Sequence, residues 1–393
     1  MARLTWETKA GRVVLSSCGA LVALALIAGG YYWWGGPRER GEARQVLAEA
    51  CEGVLAADET RAVLGDGPYN SGPGRPDVTY AARAARGGAK TVSCDVSRRT
   101  EHGAGHPTHD ASVEVSVQRV PEREAADRPP RDSELGSGYG PLYPAVSTEL
   151  PPAALGGGWH GLFTTGEGFS SAAGGESATT AVLMDCARDR GSLLVTVAVG
   201  KEVGTLDDPR ERTAYARIAT ATATKASEKW DCDAKPGRPL RTVGLPVNAD
   251  EDVPLADASG SCRGLPGRGS RASRAWESEV SGAPVEVCVV AGGRVGTPVV
   301  RSAERTRIFR LVASFGPYAE NERGGHRERD GGYGLSAVCR GGGGPALFTV
   351  RADEAEERTS AADRDYERAA LKAFAERSAR AHGCEAPKRV DVG

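Results

Sequence analysis

The chain of 393 residues carries 50 Lys+Arg against 52 Asp+Glu, a formal net charge of −2, which excludes the global basic field of a nucleic-acid-binding protein. With 52 Gly and 23 Pro it stays below the composition of disordered or collagen-like chains. Only 6% is aromatic, so cores must rely on Ala, Val and Leu, and the length suits a two-domain cytoplasmic enzyme or an anchored ectodomain of two modules.

Residues Val13–Trp34 (VVLSSCGALVALALIAGGYYWW) contain no charge. As a helix these roughly 22 residues span about 33 Å, enough to cross a hydrocarbon core of roughly 30 Å. Tyr31, Tyr32, Trp33 and Trp34 sit at one end, where an aromatic belt belongs. The segment therefore predicts a single-pass signal anchor in the cell membrane. Residues 1–12 form a cytoplasmic tail too short for a folded output domain, and the bulk of the chain is extracytoplasmic. Arg3, Lys9 and Arg12 before the span nearly balance Arg38, Arg40 and Arg44 after it, so orientation rests on the cysteines. Two other readings compete. Ala28-Gly29-Gly30 resembles a signal-peptide cleavage site. Leu15-Ser16-Ser17-Cys18 mimics a lipobox, but its apolar run follows the cysteine instead of preceding it. Abundant Ala, Gly, Arg and Pro with scarce Lys matches GC-rich codon usage, as in an actinobacterium.

A short charged linker, Gly35 to Gly41, leads into an expected helix over 42–55 with the stripe Val46, Leu47, Ala50, Cys51 and Val54. Asp58 is placed to cap a second helix ending at Leu64-Gly65. Strands are expected near 77–84, 90–97 and 112–120; in the last, Val113, Val115 and Val117 alternate with Glu114, Ser116 and Gln118. Residues 121–158 are punctuated by seven prolines and read as a loop-rich insertion. Strands resume near 159–164, 179–186 and 192–199. A helix over 209–231 follows, opened by Asp208-Pro209 with Glu211. After a linker over 233–252, strands are expected near 283–291, 296–301, 307–315, 335–340 and 346–352. The closing helix, 361–382, has Ser360 to Asp363 as cap, Tyr366, Ala370 and Phe374 on one face, and Gly383 at C′. Strands come in runs, not in strict alternation with helices. The fold class is therefore α+β: two related modules of mainly antiparallel sheet with packed helices, over 35–232 and 253–393.

Outside the anchor lie Cys51, Cys94, Cys186, Cys232, Cys262, Cys288, Cys339 and Cys384, an even set with no Cys-x-x-Cys pair. Behind a membrane anchor this argues for disulfides and an oxidising exterior. Cys186–Cys232 and Cys339–Cys384 span 46 and 45 residues. Each first cysteine precedes a strand-like run, Leu194-Val195-Thr196-Val197 or Leu347-Phe348-Thr349-Val350, and each second cysteine follows a helix. Cys94 and Cys288 both sit in apolar stretches. Eight cysteines admit about a hundred pairings. The repeat selects four: Cys51–Cys94, Cys186–Cys232, Cys262–Cys288 and Cys339–Cys384.

Cys51-Glu52-Gly53-Val54 through Val63-Leu64-Gly65, with a later strand cysteine at Cys94, resembles a pattern in actinobacterial secreted lipoproteins. More distantly it is similar to the two-disulfide extracellular sensor modules of mycobacterial serine/threonine kinases. The resemblance covers mainly residues 42–100. It implies an extracytoplasmic binding or interaction module, and it brings no catalytic residues. The second half departs from the pattern, since the sequence around Cys262 is rich in Gly.

The densest chemistry-bearing cluster is Glu101 to Asp110, where His102, His106 and His109 precede Asp110. Imidazoles and a carboxylate suit zinc. Gly103, Gly105 and Pro107 forbid a helix, however, so the stretch reads first as a polar loop. Gly168-Phe169-Ser170 lacks the nucleophile-elbow pattern, and Gly341-Gly342-Gly343-Gly344 lacks the Lys-Ser/Thr of a phosphate loop. Arg323 to Asp330 reads as a solvated loop. Trp159, Trp230 and Trp276 are expected in core or rim packing, with a shared groove as the alternative. The expected function is a membrane-anchored envelope protein that binds a protein, glycan or lipid partner, without catalysis, cofactor or nucleic acid. The alternatives are a metal-dependent hydrolase using the histidine loop and a structural or assembly factor of an envelope complex.

Overall fold

A computed structural model of the chain describes residues 41–73, 90–98, 111–120, 150–165, 176–188, 191–201, 206–279, 282–296, 308–319, 333–339, 344–352 and 360–389. The apolar segment Val13–Trp34, the histidine loop His102–Asp110, residues 121–149 of the insertion, the expected strand at 77–84 and all but the first residue of that at 296–301 lie outside them. Among the described residues no helix is long and apolar enough to cross a membrane.

Residues 41–49 are helical (α1), but the helix stops short of the expected Leu55. The chain turns through a 3-10 segment, Ala50–Gly53, in which Cys51 and Glu52 take left-handed φ values of 52° and 53°. Cys51 is joined to Cys94 of the sheet, so this turn aims its side chain away from the helical path. The carbonyls freed by the break find cations. Lys229 donates to Glu52 O, and Lys225 to Leu55 O at 2.9 Å. Helix α2, Ala57–Leu64, has Ala56 at its N-cap, so Asp58 lies in its first turn and is not its cap. Gly65 ends it at φ +80°, a conformation that favours glycine.

The strands form two antiparallel sheets of seven. The N-terminal sheet contains β1 (Tyr69–Pro73), β2 (Lys90–Arg98), β3 (Ala111–Val120), β4 (Ala153–Ala154), β5 (His160–Thr165), β6 (Glu176–Asp185) and β7 (Ser192–Lys201), in the order β1-β2-β3-β7-β6-β5-β4. The C-terminal sheet contains β8 (Val253–Pro254), β9 (Arg274–Glu277), β10 (Val285–Ala291), β11 (Ile308–Phe315), β12 (Tyr333–Val338), β13 (Pro345–Ala352) and β14 (Lys388–Arg389). Their order is β14-β12-β13-β11-β10-β9-β8.

Both sheets contain one shared succession. The order β1-β2-β3-β7-β6 in the first matches β9-β10-β11-β13-β12 in the second. The register agrees residue for residue. Cys94, Val115, Val197 and Thr180 stand side by side across the N-terminal sheet, as Cys288, Leu311, Val350 and Tyr333 do across the other. Cys186 follows Thr180 at the same spacing as Cys339 follows Tyr333. The four disulfides are Cys51–Cys94, Cys186–Cys232, Cys262–Cys288 and Cys339–Cys384, the pairings selected by the repeat.

Each sheet carries one long helix on its outer face. Helix α3, Pro209–Lys229, starts as its sequence dictates: Pro209 is the first helical residue and Asp208 Oδ1 accepts from Arg210 N at 2.8 Å. It packs on β6 and β7. Helix α4, Ala361–Ala381, opens with a reciprocal capping box between Ser360 and Asp363 and packs on β11, β12 and β13. Leu193, Val195, Val197 and Val199 of β7 bury against α3 together with Leu47, Leu55 and Ile218. Phe309, Leu311 and Phe315 of β11 bury against Tyr366, Leu371 and Phe374 of α4.

The opposite faces meet each other. Leu162, Ala181 and Leu194 of the N-terminal sheet share one buried cluster with Trp276, Val287, Val289 and Val312 of the C-terminal sheet. The layers thus run helix, sheet, sheet, helix. Contributing strands are not equivalent: β5, β6 and β7 on one side face β9, β10 and β11 on the other. The expected linker over 233–252 is packed, since Leu240 and Val243 join the α3 core and accept hydrogen bonds from Arg217 and Arg212.

Candidate functional site

The three tryptophans serve three separate places. Trp276 is fully buried between the sheets and donates Nε1–H to Ala249 O at 2.9 Å. Trp230 is buried at the end of α3, with the Lys90 ammonium 4.9 Å from its ring centroid. Trp159 clasps the segment after α3, donating Nε1–H to Arg238 O at 2.8 Å. Packing accounts for all three. Among the described residues no three His, Cys, Asp or Glu side chains gather as a metal site would require.

A concave site that the sequence did not single out lies in the C-terminal half. A groove of about 720 Å³ runs between the loop around Ser259 to Gly264 and the last two turns of α4. Its walls include Gly260, Arg263, Glu279, Glu376, Arg377 and Arg380.

The loop wall is fixed by an internal carboxylate. Glu277, on β9, accepts from the backbone N–H groups of Ser259 at 2.7 Å, Gly260 at 2.8 Å and Cys262 at 3.2 Å. Converging backbone donors of this kind form a nest for an anion, and here the protein supplies its own. Ser261 Oγ donates to Val287 O at 2.6 Å, and Cys262–Cys288 ties the same loop to β10. A side chain at Gly260 would collide with the Ser278 carbonyl oxygen, so glycine is required there. Across the groove, Arg377 reaches over and donates to Gly260 O at 2.6 Å.

The helix wall is fixed by a second buried carboxylate. The Glu286 side chain, on β10, is only 2% exposed. Its Oε1 lies 2.9 Å from His382 Nε2, its Oε2 accepts from Ser378 Oγ at 2.7 Å, and Arg377 Nη2 is 3.6 Å away. Burial pushes the Glu286 carboxyl up, but His382, Ser378 and Arg377 together outweigh it and the net shift is down. Phe315 stacks on the His382 ring at 3.7 Å between centroids. Serine, histidine and glutamate come together here in an order unlike that of a hydrolase triad. The carboxylate sits in the middle, and Ser378 is fully buried with its proton directed at Glu286, not at His382. The cluster is an anchor that holds the end of α4 against the sheet.

Arg377 joins the two walls. Burial foremost, and then the charge of Arg263, hold its guanidinium below the ordinary value, against the raising effect of Glu286 and Glu277. Its Nε–H is buried with no hydrogen-bond acceptor. The Cys262–Cys288 loop was legible only as a bridged segment. The part played by Arg377 depends on Glu286 and Gly260, both distant in sequence. Compared with known protein families, with curated proteins and with solved structures, the chain matches none.

Proposed function

We propose that this is a single-pass envelope protein, anchored by Val13–Trp34, whose two related extracytoplasmic modules bind a partner or ligand without bond chemistry. The observation that carries the reading is the set of four disulfides. Each half is locked by two of them, as suits an oxidising compartment. A chargeless segment long enough to span a bilayer precedes them. The groove beside α4 is the best contact surface, because both of its walls are held rigid before any ligand arrives, which lowers the ordering cost of binding.

The test is site-specific photo-cross-linking of the full chain in its native envelope. The cross-linker is placed at Arg380 on the groove, and at the exposed Arg188 of the N-terminal half, which is not part of its lining, as control. The expected result is an adduct with an envelope component from Arg380 alone. Identical adducts from both positions, or none from Arg380, would overturn the reading.

A further inference from the structure

The four disulfides are not equally enclosed. Seven of their eight cysteines are 6% exposed or less. Cys384 is the exception, packed only in part against the C-terminal core where the chain leaves α4. The tail beyond it is held lightly. Glu385, Ala386, Lys388 and Arg389 are exposed. The tail meets the sheet at the edge of β12, through Glu385 N donating to Val338 O at 2.8 Å and through the two pairs of β14, Lys388 with Ser336 and Arg389 with Leu335. Gly383, at φ +66° with open space around it, joins helix to tail.

The other bridges lie among apolar neighbours. Cys51 shares a core with Leu47, Val54 and Leu55, Cys232 with Trp230 and Leu240, and Cys262 and Cys288 are fully buried. The tail has no buried side chain past Cys384 among the described residues, so the bond to Cys339 is its main attachment. The strand it covers is otherwise an edge. β6, which takes the place of β12 in the shared succession, is paired by β5 over six residues, whereas β12 has only this strap. Val338, beside the bond, is 61% exposed. Access to a sulfur governs which disulfide a thiolate reaches, and exposed bridges are the labile ones. We infer that Cys339–Cys384 is a redox latch, which a dithiol opens ahead of the other three bonds, and that the tail 385–389 then leaves the edge of β12. A thiolate of the dithiol attacks Cys384 Sγ, forming a mixed disulfide and releasing Cys339. The second thiol closes on the mixed disulfide and releases Cys384. The dithiol is oxidised to its own disulfide, the protein bond is reduced by the same two electrons, and the two protons of the dithiol pass to Cys339 and Cys384. Helix α4 stays in place, because Glu286 holds Ser378 and His382 ahead of Gly383. The strap alone moves, and the backbone groups of a sheet edge become available.

This inference goes beyond the binding reading and does not depend on the groove. The test is graded reduction of the full chain with dithiothreitol, without denaturant. Free thiols are alkylated and mapped by peptide mass, and amide hydrogen exchange is followed on the same samples. Cys339 and Cys384 should be alkylated first, at a dithiol concentration roughly tenfold below that needed for any other pair. Exchange should then quicken at 335–338 and 385–389 while α4 keeps its protection. Cys339→Ser with Cys384→Ser should show the same fast exchange with no reductant present. Another bond opening first, or all four opening over one range, would overturn the latch. So would opening of Cys339–Cys384 with exchange at 335–338 and 385–389 unchanged. The wild-type titration decides the matter even where the double variant does not fold.

Discussion

Replacing Glu286 by alanine probes the anchor at the end of α4. The substitution removes a carboxylate that is 2% exposed and that serves Ser378 at 2.7 Å, His382 at 2.9 Å and Arg377 at 3.6 Å. It leaves a fully buried hydroxyl without its acceptor, at about 1–3 kcal/mol. It also leaves a partly buried guanidinium without its counter-charge; breaking a buried ion pair in this way costs about 3–5 kcal/mol. These losses overlap, so the expected destabilisation is about 4 kcal/mol. Urea unfolding of the disulfide-intact chain at pH 7 measures it as a lower midpoint with unchanged slope. The pH dependence has a definite sign. A carboxyl held below its ordinary value of 4.5 contributes stability above that pH and loses it as pH falls through the folded-state value. The gap between wild type and Glu286→Gln should therefore be full at pH 7 and shrink below about 4.5. A wild-type-to-alanine difference under about 1 kcal/mol, or a glutamine gap constant down to pH 3, would refute the argument.

Four further outcomes are expected. Burial, reinforced by the charge of His382, holds His160 down to about 4, so acidification from 6.5 toward that value should lower the melting temperature, and His160→Gln should flatten the curve. Trp276→Ala empties a fully buried site between the sheets and should cost about 4 kcal/mol in urea unfolding; a loss under about 1 kcal/mol would contradict the shared core. Gly260→Ala should destabilise by about 2 kcal/mol or more in thermal melts, because its methyl meets the Ser278 carbonyl. Replacing Cys186 and Cys232 together by serine opens a 46-residue loop, a loss of about 4 kcal/mol in the chain-entropy picture, measurable by the same urea titration.

The parts of the fold that local chemistry dictates were legible from sequence. Asp208-Pro209 opens α3 and Ser360 with Asp363 opens α4, because capping depends on residues within one turn. The alternation Val113-Glu114-Val115-Ser116-Val117 marks β3, and these three valines are fully buried. Elements decided by distant partners were not. The helix expected to reach Leu55 breaks at Cys51 because a bond to Cys94 and cations from α3 favour the turn. Strands β1, β4, β8, β9 and β14 are short and carry little periodicity; β9 reads Arg-Ala-Trp-Glu and is held as a strand by its neighbours β10 and β8. The groove was invisible for the same reason. Its lining comes from the loop 259–264, Glu279 and the end of a helix, which nothing in the linear order associates. The histidine cluster His102, His106, His109 and Asp110, conspicuous in the sequence, lies outside the described residues.

The non-equivalent strands that join the two sheets carry a consequence for assembly. Where β10 and β11 present Val287, Val289 and Val312 to the neighbouring sheet, the matching positions of β2 and β3 hold Ser93, Asp95 and Ser116. A head-to-tail contact between like units is open-ended and needs an apolar face at those positions to take on a third unit. The substitution of serine and aspartate for valine makes that face wettable. Polar residues at those positions disfavour a further unit, much as a polar terminal repeat closes a solenoid.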